Sequence, residues 1–112
     1  MKFKSRESKG VTIIELTGNV MGGPDATSLN NQLHELIDNN KKQVVVNLEE
    51  VKFINSSGLG MLIGGLTTLR NSGGELKLAC ASKKIEDLLR MTKLSTVFDV
   101  HKTVSEAVAA FK

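Results

Sequence analysis

The chain of 112 residues has no Trp or Tyr and only four Phe, so it offers few rings on which nucleic-acid bases could stack. Its fifteen basic and twelve acidic residues leave a formal charge of +3, a mild excess. The lysines are dispersed except for Lys41-Lys42 and Lys83-Lys84. Such pairs are ordinary solvated surface, and direct nucleic-acid binding is not expected. A single cysteine, Cys80, excludes an intrachain disulfide and a four-cysteine metal site. No run reaches the roughly 18 apolar residues of a membrane span. The first residues, Met1-Lys2-Phe3-Lys4-Ser5-Arg6, lack an apolar signal region. A cytoplasmic protein without membrane attachment is therefore expected. No linker or internal repeat divides the chain, and its length suits one ordinary core, a single domain over residues 1–112.

One further absence is local. No charged residue lies between Lys52 and Arg70. That interval holds Asn55-Ser56-Ser57-Gly58-Leu59-Gly60-Met61-Leu62-Ile63-Gly64-Gly65, in which Leu59, Leu62, Ile63, Leu66 and Leu69 recur at helical spacing. The other side of such a helix carries Ser57, Gly60, Met61, Gly64, Gly65 and Thr68. A helix face open to water normally bears charge. This one is either covered by another element of the fold or is a docking surface, with Met61 as its adaptable contact.

The rest of the chain supplies a frame for that helix. Lys2–Glu7 is a charged edge strand and Val11–Thr17, ended by Gly18, its hairpin partner. The loop from Asn19 through Met21, Gly22 and Gly23 leads to the chain's one proline, Pro24. Pro24 and Asp25 suit the first turn of a helix, which Ala26, Leu29, Leu33, Leu36 and Ile37 continue to about Asn39. Gln43–Leu48 is a buried strand, with 49–54 as a connection to the serine motif. Asn71-Ser72-Gly73-Gly74 ends the central helix, and Glu75–Cys80 is an alternating strand. Ser82 caps a short helix, 97–100 form a last strand, and Thr103-x-x-Glu106 opens a terminal helix. This order predicts an α/β fold, with a mixed, mostly parallel sheet of about five strands and about four helices.

Catalytic constellations are missing from this frame. His34 and His101 have no partners at metal or triad spacing and read as surface residues. No Gly-x-Ser-x-Gly elbow and no phosphate-binding Gly-Lys-Ser/Thr is present. The glycines at 58, 60 and 64 follow a strand, but the connection is too long for the tight turn of a dinucleotide site. No enzyme, cofactor or metal is expected. Serines at a helix start are usually caps, yet Asn55 serves that purpose equally well.

The segment Ile54-Asn55-Ser56-Ser57-Gly58-Leu59-Gly60 resembles the Asp-Ser-Ser/Thr-Gly-Leu-Gly signature of STAS-domain anti-sigma-factor antagonists. The resemblance extends to Leu16-Thr17-Gly18, Val46-Asn47-Leu48, Gly73-Gly74, Leu88-Leu89 and Thr92-Lys93-Leu94. It implies a STAS fold and a bacterial regulator that binds an anti-sigma factor, itself a serine kinase, and so frees a sigma factor. A phosphoserine phosphatase is the implied counterpart. The serine after the signature's aspartate, here Ser56, is the implied phosphorylation site. The implied partner-binding residues are Met21, Gly22, Asp25, Asn55, Ser56, Ser57, Gly58, Gly60, Met61 and Gly64. Asn55 replaces the usual aspartate, keeping a capping oxygen and losing a charge. The loop before Pro24 also lacks the acidic residues the family often has there. The alternative is a STAS accessory or scaffold subunit of a transporter or signalling assembly, without phosphorylation.

Overall fold

The computed structural model describes residues 2–111. Five strands, β1 (Lys2–Ser8), β2 (Val11–Val20), β3 (Gln43–Ile54), β4 (Glu75–Ala79) and β5 (Asp99–His101), form one sheet in chain order. β1 and β2 are an antiparallel hairpin, and every later pairing is parallel. The helices are α1 (Pro24–Asp38), α2 (Ser56–Asn71), α3 (Lys83–Met91) and α4 (Val104–Ala109), with a 3₁₀ turn at Leu94–Thr96. The expected α/β architecture is the one observed.

Strand alternation divides the core between two faces. Ile14, Leu16, Val44, Val46, Leu76 and Leu78 pack under Leu33 of α1, Leu62 and Leu66 of α2, and Ile85 and Leu89 of α3. Val11, Ile13, Val45 and Ala79 face the other way, against Ala107 and Val108 of α4. Both long helices end in the same device. Gly74 N–H donates to Leu69 O at 2.7 Å and Gly73 N–H to Arg70 O at 3.1 Å; at the end of α1, Lys41 N–H donates to Leu36 O and Asn40 N–H to Ile37 O. These paired bonds satisfy carbonyls left over at a helix end, and the turn requires the positive φ that Gly73 and Asn40 adopt.

Three expectations need correction. Residues 49–54 are not a connection: β3 runs on to Ile54, and β2 runs past Gly18 to Val20 beside it. The pairing shifts register twice, between Glu15 and Thr17 and between Gly18 and Asn19. Each shift inserts an extra residue in β3, which breaks the inside–outside alternation and disguises the strand. The last strand is 99–101 rather than 97–100, because Phe98 turns into the core after the 3₁₀ turn. His101 consequently lies within β5, with its side chain only 20% exposed and Nε2 3.0 Å from Asp99 Oδ2. His34 is exposed, as expected.

Candidate functional site

The site is the sheet edge where β2 and β3 end and α1 and α2 begin. Val20 and Ile54 are paired at the strand ends, and Asn55 N–H donates to Val20 O at 3.2 Å. Asn55 then leaves the strand in an extended conformation, and its Oδ1 accepts from Gly58 N–H at 2.7 Å. That bond is an N-cap. With Asn55 as the cap, Ser56 and Ser57 occupy the first helical positions and both are exposed. Among the described residues neither serine hydroxyl has a hydrogen-bond partner.

Two glycines make this junction possible. A Cβ on Gly58 would lie 2.0 Å from Val20 O, so the start of α2 sits directly on the end of β2. Gly22 has φ +81°, and a Cβ there would lie 2.8 Å from Ser57 Cβ. Glycine answers both the backbone conformation and the close approach. The β2–α1 loop is thereby pressed against Ser57. Asp25 stands, half-buried, in the first turn of α1, and Met21 projects from the loop with 44% exposure.

Between α1 and α2 lies an open groove of about 520 Å³, lined by Ala26, Thr27 and Asn30 on one side and Ser57, Gly60 and Gly64 on the other. A Cβ added to Gly60 or Gly64 would meet nothing within 4 Å, so both glycines keep this face low. No lining residue is charged. Met61 does not match its expected role as an exposed contact. It is 7% exposed and belongs to the core, forming part of the groove floor. Gly65 is also buried, because its missing side chain admits Leu33 Cδ1 3.0 Å from the ideal Cβ position. Packing of α1 thus covers part of the uncharged face and leaves Ser56, Ser57, Gly60 and Gly64 in the open.

A family model for the STAS domain matches residues 2–107. The chain belongs to the STAS-domain family. BtrV of Bordetella bronchiseptica, which bears the provisional name of an anti-sigma factor antagonist, is 28% identical over 112 residues, covering 100% of this chain and 96% of its own. The anti-sigma F factor antagonist of Paenibacillus polymyxa is 24% identical over 102 residues, covering 90% and 86% respectively. The fold of this STAS domain is also that of the Bacillus cell fate determinant SpoIIAA, solved in its phosphorylated form: TM-score 0.75, 18% identity, and coverage of 99% of this chain and 100% of that one.

Elsewhere on this STAS domain, no three His, Cys, Asp or Glu among the described residues are grouped to hold a metal ion. No described helix is long and apolar enough to cross a membrane. Cys80 lies just past β4 with φ +60°; burial first, then the nearby Glu49 carboxylate, pushes its thiol above the ordinary range, so it is held as a thiol and not as a reactive thiolate. Two exposed apolar residues went unnoticed in the sequence, Phe53 (42%) and Met91 (81%). Only the position of β3 and α3 could have drawn attention to them.

Proposed function

We propose that this STAS domain is a non-enzymatic partner-switching regulator: it binds an anti-sigma factor that is a serine kinase, is released when Ser56 is phosphorylated, and is reset by a phosphoserine phosphatase. The observation that carries the reading is Ser56 itself, an exposed hydroxyl at the first position of α2 whose capping work is done by Asn55. It stands beside an uncharged open groove. The motif resemblance and the antagonists among the relatives support the same reading.

The chemistry of the switch follows from that position. A phosphate adds about −1.5 to −2 charges. At a helix N-terminus the dipole and the remaining free amides tolerate it, so the fold is retained. α2 has no acidic residue in its first turn to oppose it. A partner seated over Met21, Asp25, Asn55, Ser56, Ser57 and the groove must, however, desolvate that charge. A loss of about 3 kcal/mol weakens binding more than a hundredfold.

The test uses the anti-sigma factor of the same organism with wild type, Ser56→Ala and Ser56→Asp. Wild type and Ser56→Ala should bind alike, Ser56→Asp should bind at least about tenfold more weakly, and the kinase with ATP should label only forms with Ser56. Equal affinity of all three forms, or phosphate mapped to another residue, removes Ser56 as the switch. Asn55 favours a second reading, a constitutive STAS accessory or scaffold subunit, since the signature's carboxylate is missing beside the serine. Normal binding with no phosphate incorporation would select it.

A further inference from the structure

Resting on that reading, we propose that the cleft between the end of β3 and α3 is a second contact for the anti-sigma factor, and that it receives an apolar side chain carried on an acidic segment of that partner. The cleft, about 270 Å³, is floored by Ile54, Ile85 and Leu88. Its walls are Phe53, 42% exposed, and Met91, 81% exposed. Large apolar side chains left this open on two neighbouring elements mark a surface that gains by being covered.

The rim gives the partner's chemistry. Asp87, its one carboxylate, is already held by Arg90 and by Lys83 at 3.9 Å. Lys52 and Lys84 have no acidic partner among the described residues; Lys84 Nζ instead lies 5.8 Å from the Phe53 ring centroid. An apolar floor with two uncompensated ammonium groups is complementary to an apolar residue flanked by Asp or Glu. A lipid surface suits it less well, because a concave cleft takes a single side chain, whereas a bilayer receives protruding ones.

The cleft also adjoins the switch. Phe53 and Ile54 directly precede Asn55, and Ile54 is paired with Val20, next to the exposed Met21. The α1–α2 groove therefore flanks the Asn55–Ser56 turn on one side and this cleft flanks it on the other. A partner spanning both would enclose Ser56 and feel its phosphate at the centre of the contact, where groups are most fully desolvated.

The test measures affinity of the full chain for the anti-sigma factor of its own organism at low and high salt. Lys52→Glu/Lys84→Glu should weaken binding at least about tenfold at low salt and less at high salt, while Lys84→Arg should bind as wild type. All these positions are exposed, and unchanged melting curves establish that the variants fold. A photo-cross-linking benzoylphenylalanine at position 53 should capture a partner peptide with an apolar residue flanked by Asp or Glu. Unchanged affinity of the double variant, with Ser56→Asp still weakened, overturns the cleft and leaves the switch standing. Capture of a basic peptide also overturns it. Absence of any binding by wild type overturns both. Sedimentation with phosphatidylglycerol vesicles that Met91→Glu abolishes, without an affinity change for the protein partner, assigns the cleft to lipid instead.

Discussion

On one face of the sheet three helices cover a continuous apolar layer; on the other α4 alone covers Val11, Ile13, Val45 and Ala79, and the remainder carries polar groups such as Arg6 and Glu15, 3.6 Å apart. The first face also supplies every part of the candidate site: the starts of α1 and α2, the groove between them and the cleft beside α3. Packing and recognition are therefore coupled on the three-helix face and separate on the other. Substitutions under α1 and α2 should change stability and partner binding together, whereas those under α4 should change stability alone.

The sharpest test of that coupling is Gly58→Ala. The added Cβ meets backbone at 2.0 Å, which only a separation of α2 from β2 can relieve, so a loss of about 3 kcal/mol or more is expected. Gly64→Ala, where a Cβ meets nothing within 4 Å, should gain about 0.5–1 kcal/mol from helix propensity. Urea unfolding distinguishes them, and equal stabilities would show that the β2–α2 contact does not constrain the site. Next in size is a matched pair of core truncations. Leu62→Ala, in the fully buried centre of the three-helix face, should cost about 2–5 kcal/mol. Val108→Ala under α4 removes two methyl groups and should cost about 1.6 kcal/mol from lost burial. If Val108→Ala lowered anti-sigma-factor affinity as much as Leu62→Ala does, the separation of the two faces would be wrong.

Much of this architecture could be read before the structure. Alternation in 75–80, the apolar runs of 11–17 and 43–48 and the leucine spacing of two helices gave the sheet and its main cover, because burial on one face leaves a period in the sequence and burial on both leaves an unbroken apolar run. The Thr103 and Ser82 caps were legible for the same local reason: each hydroxyl accepts from an N–H three residues on. The extension of β3 was hidden because its extra residues put Glu49 and Glu50 side by side on the outside, the pattern of a loop. Met61 was misplaced because the stripe on α2 is wider than its leucines. Where α1 crosses α2 depends on Gly65 accepting Leu33, a contact between distant residues with no period to reveal it. The serine motif was legible as a motif, but the division of labour between Asn55 as cap and Ser56 as free hydroxyl is a matter of geometry.

Thr12 offers an intermediate test from inside the three-helix side. It alternates with Val11 and Ile13, is 3% exposed, and its Oγ1 is buried without a hydrogen-bond partner. A buried hydroxyl with no partner has lost its hydration for nothing in return. Thr12→Val keeps the shape and should raise stability by about 1 kcal/mol in urea unfolding. A destabilised Thr12→Val would mean that the hydroxyl is satisfied by bound water.

The smallest expected effect belongs to the α4 side. Lys77 Nζ donates to Asp99 Oδ2 at 2.5 Å and also lies 5.0 Å from the Phe111 ring centroid. The Lys77 hydrogen bond first, and His101 second, hold the Asp99 carboxyl below its ordinary value. A carboxyl depressed in the folded state contributes stability that is complete above its unfolded value, about 3.9, and that is lost as pH falls through the folded value. Asp99 is 50% exposed, so solvent screening keeps the contribution below about 1 kcal/mol. Wild type should therefore exceed Asp99→Asn slightly in unfolding free energy at neutral pH, with the difference closing as the pH drops below about 3.9. Partner affinity should be the same for both, since this cluster lies under α4, away from the serine edge. A difference that persisted in acid would place the effect in packing rather than charge, and a change in affinity would join the two faces that the fold keeps apart.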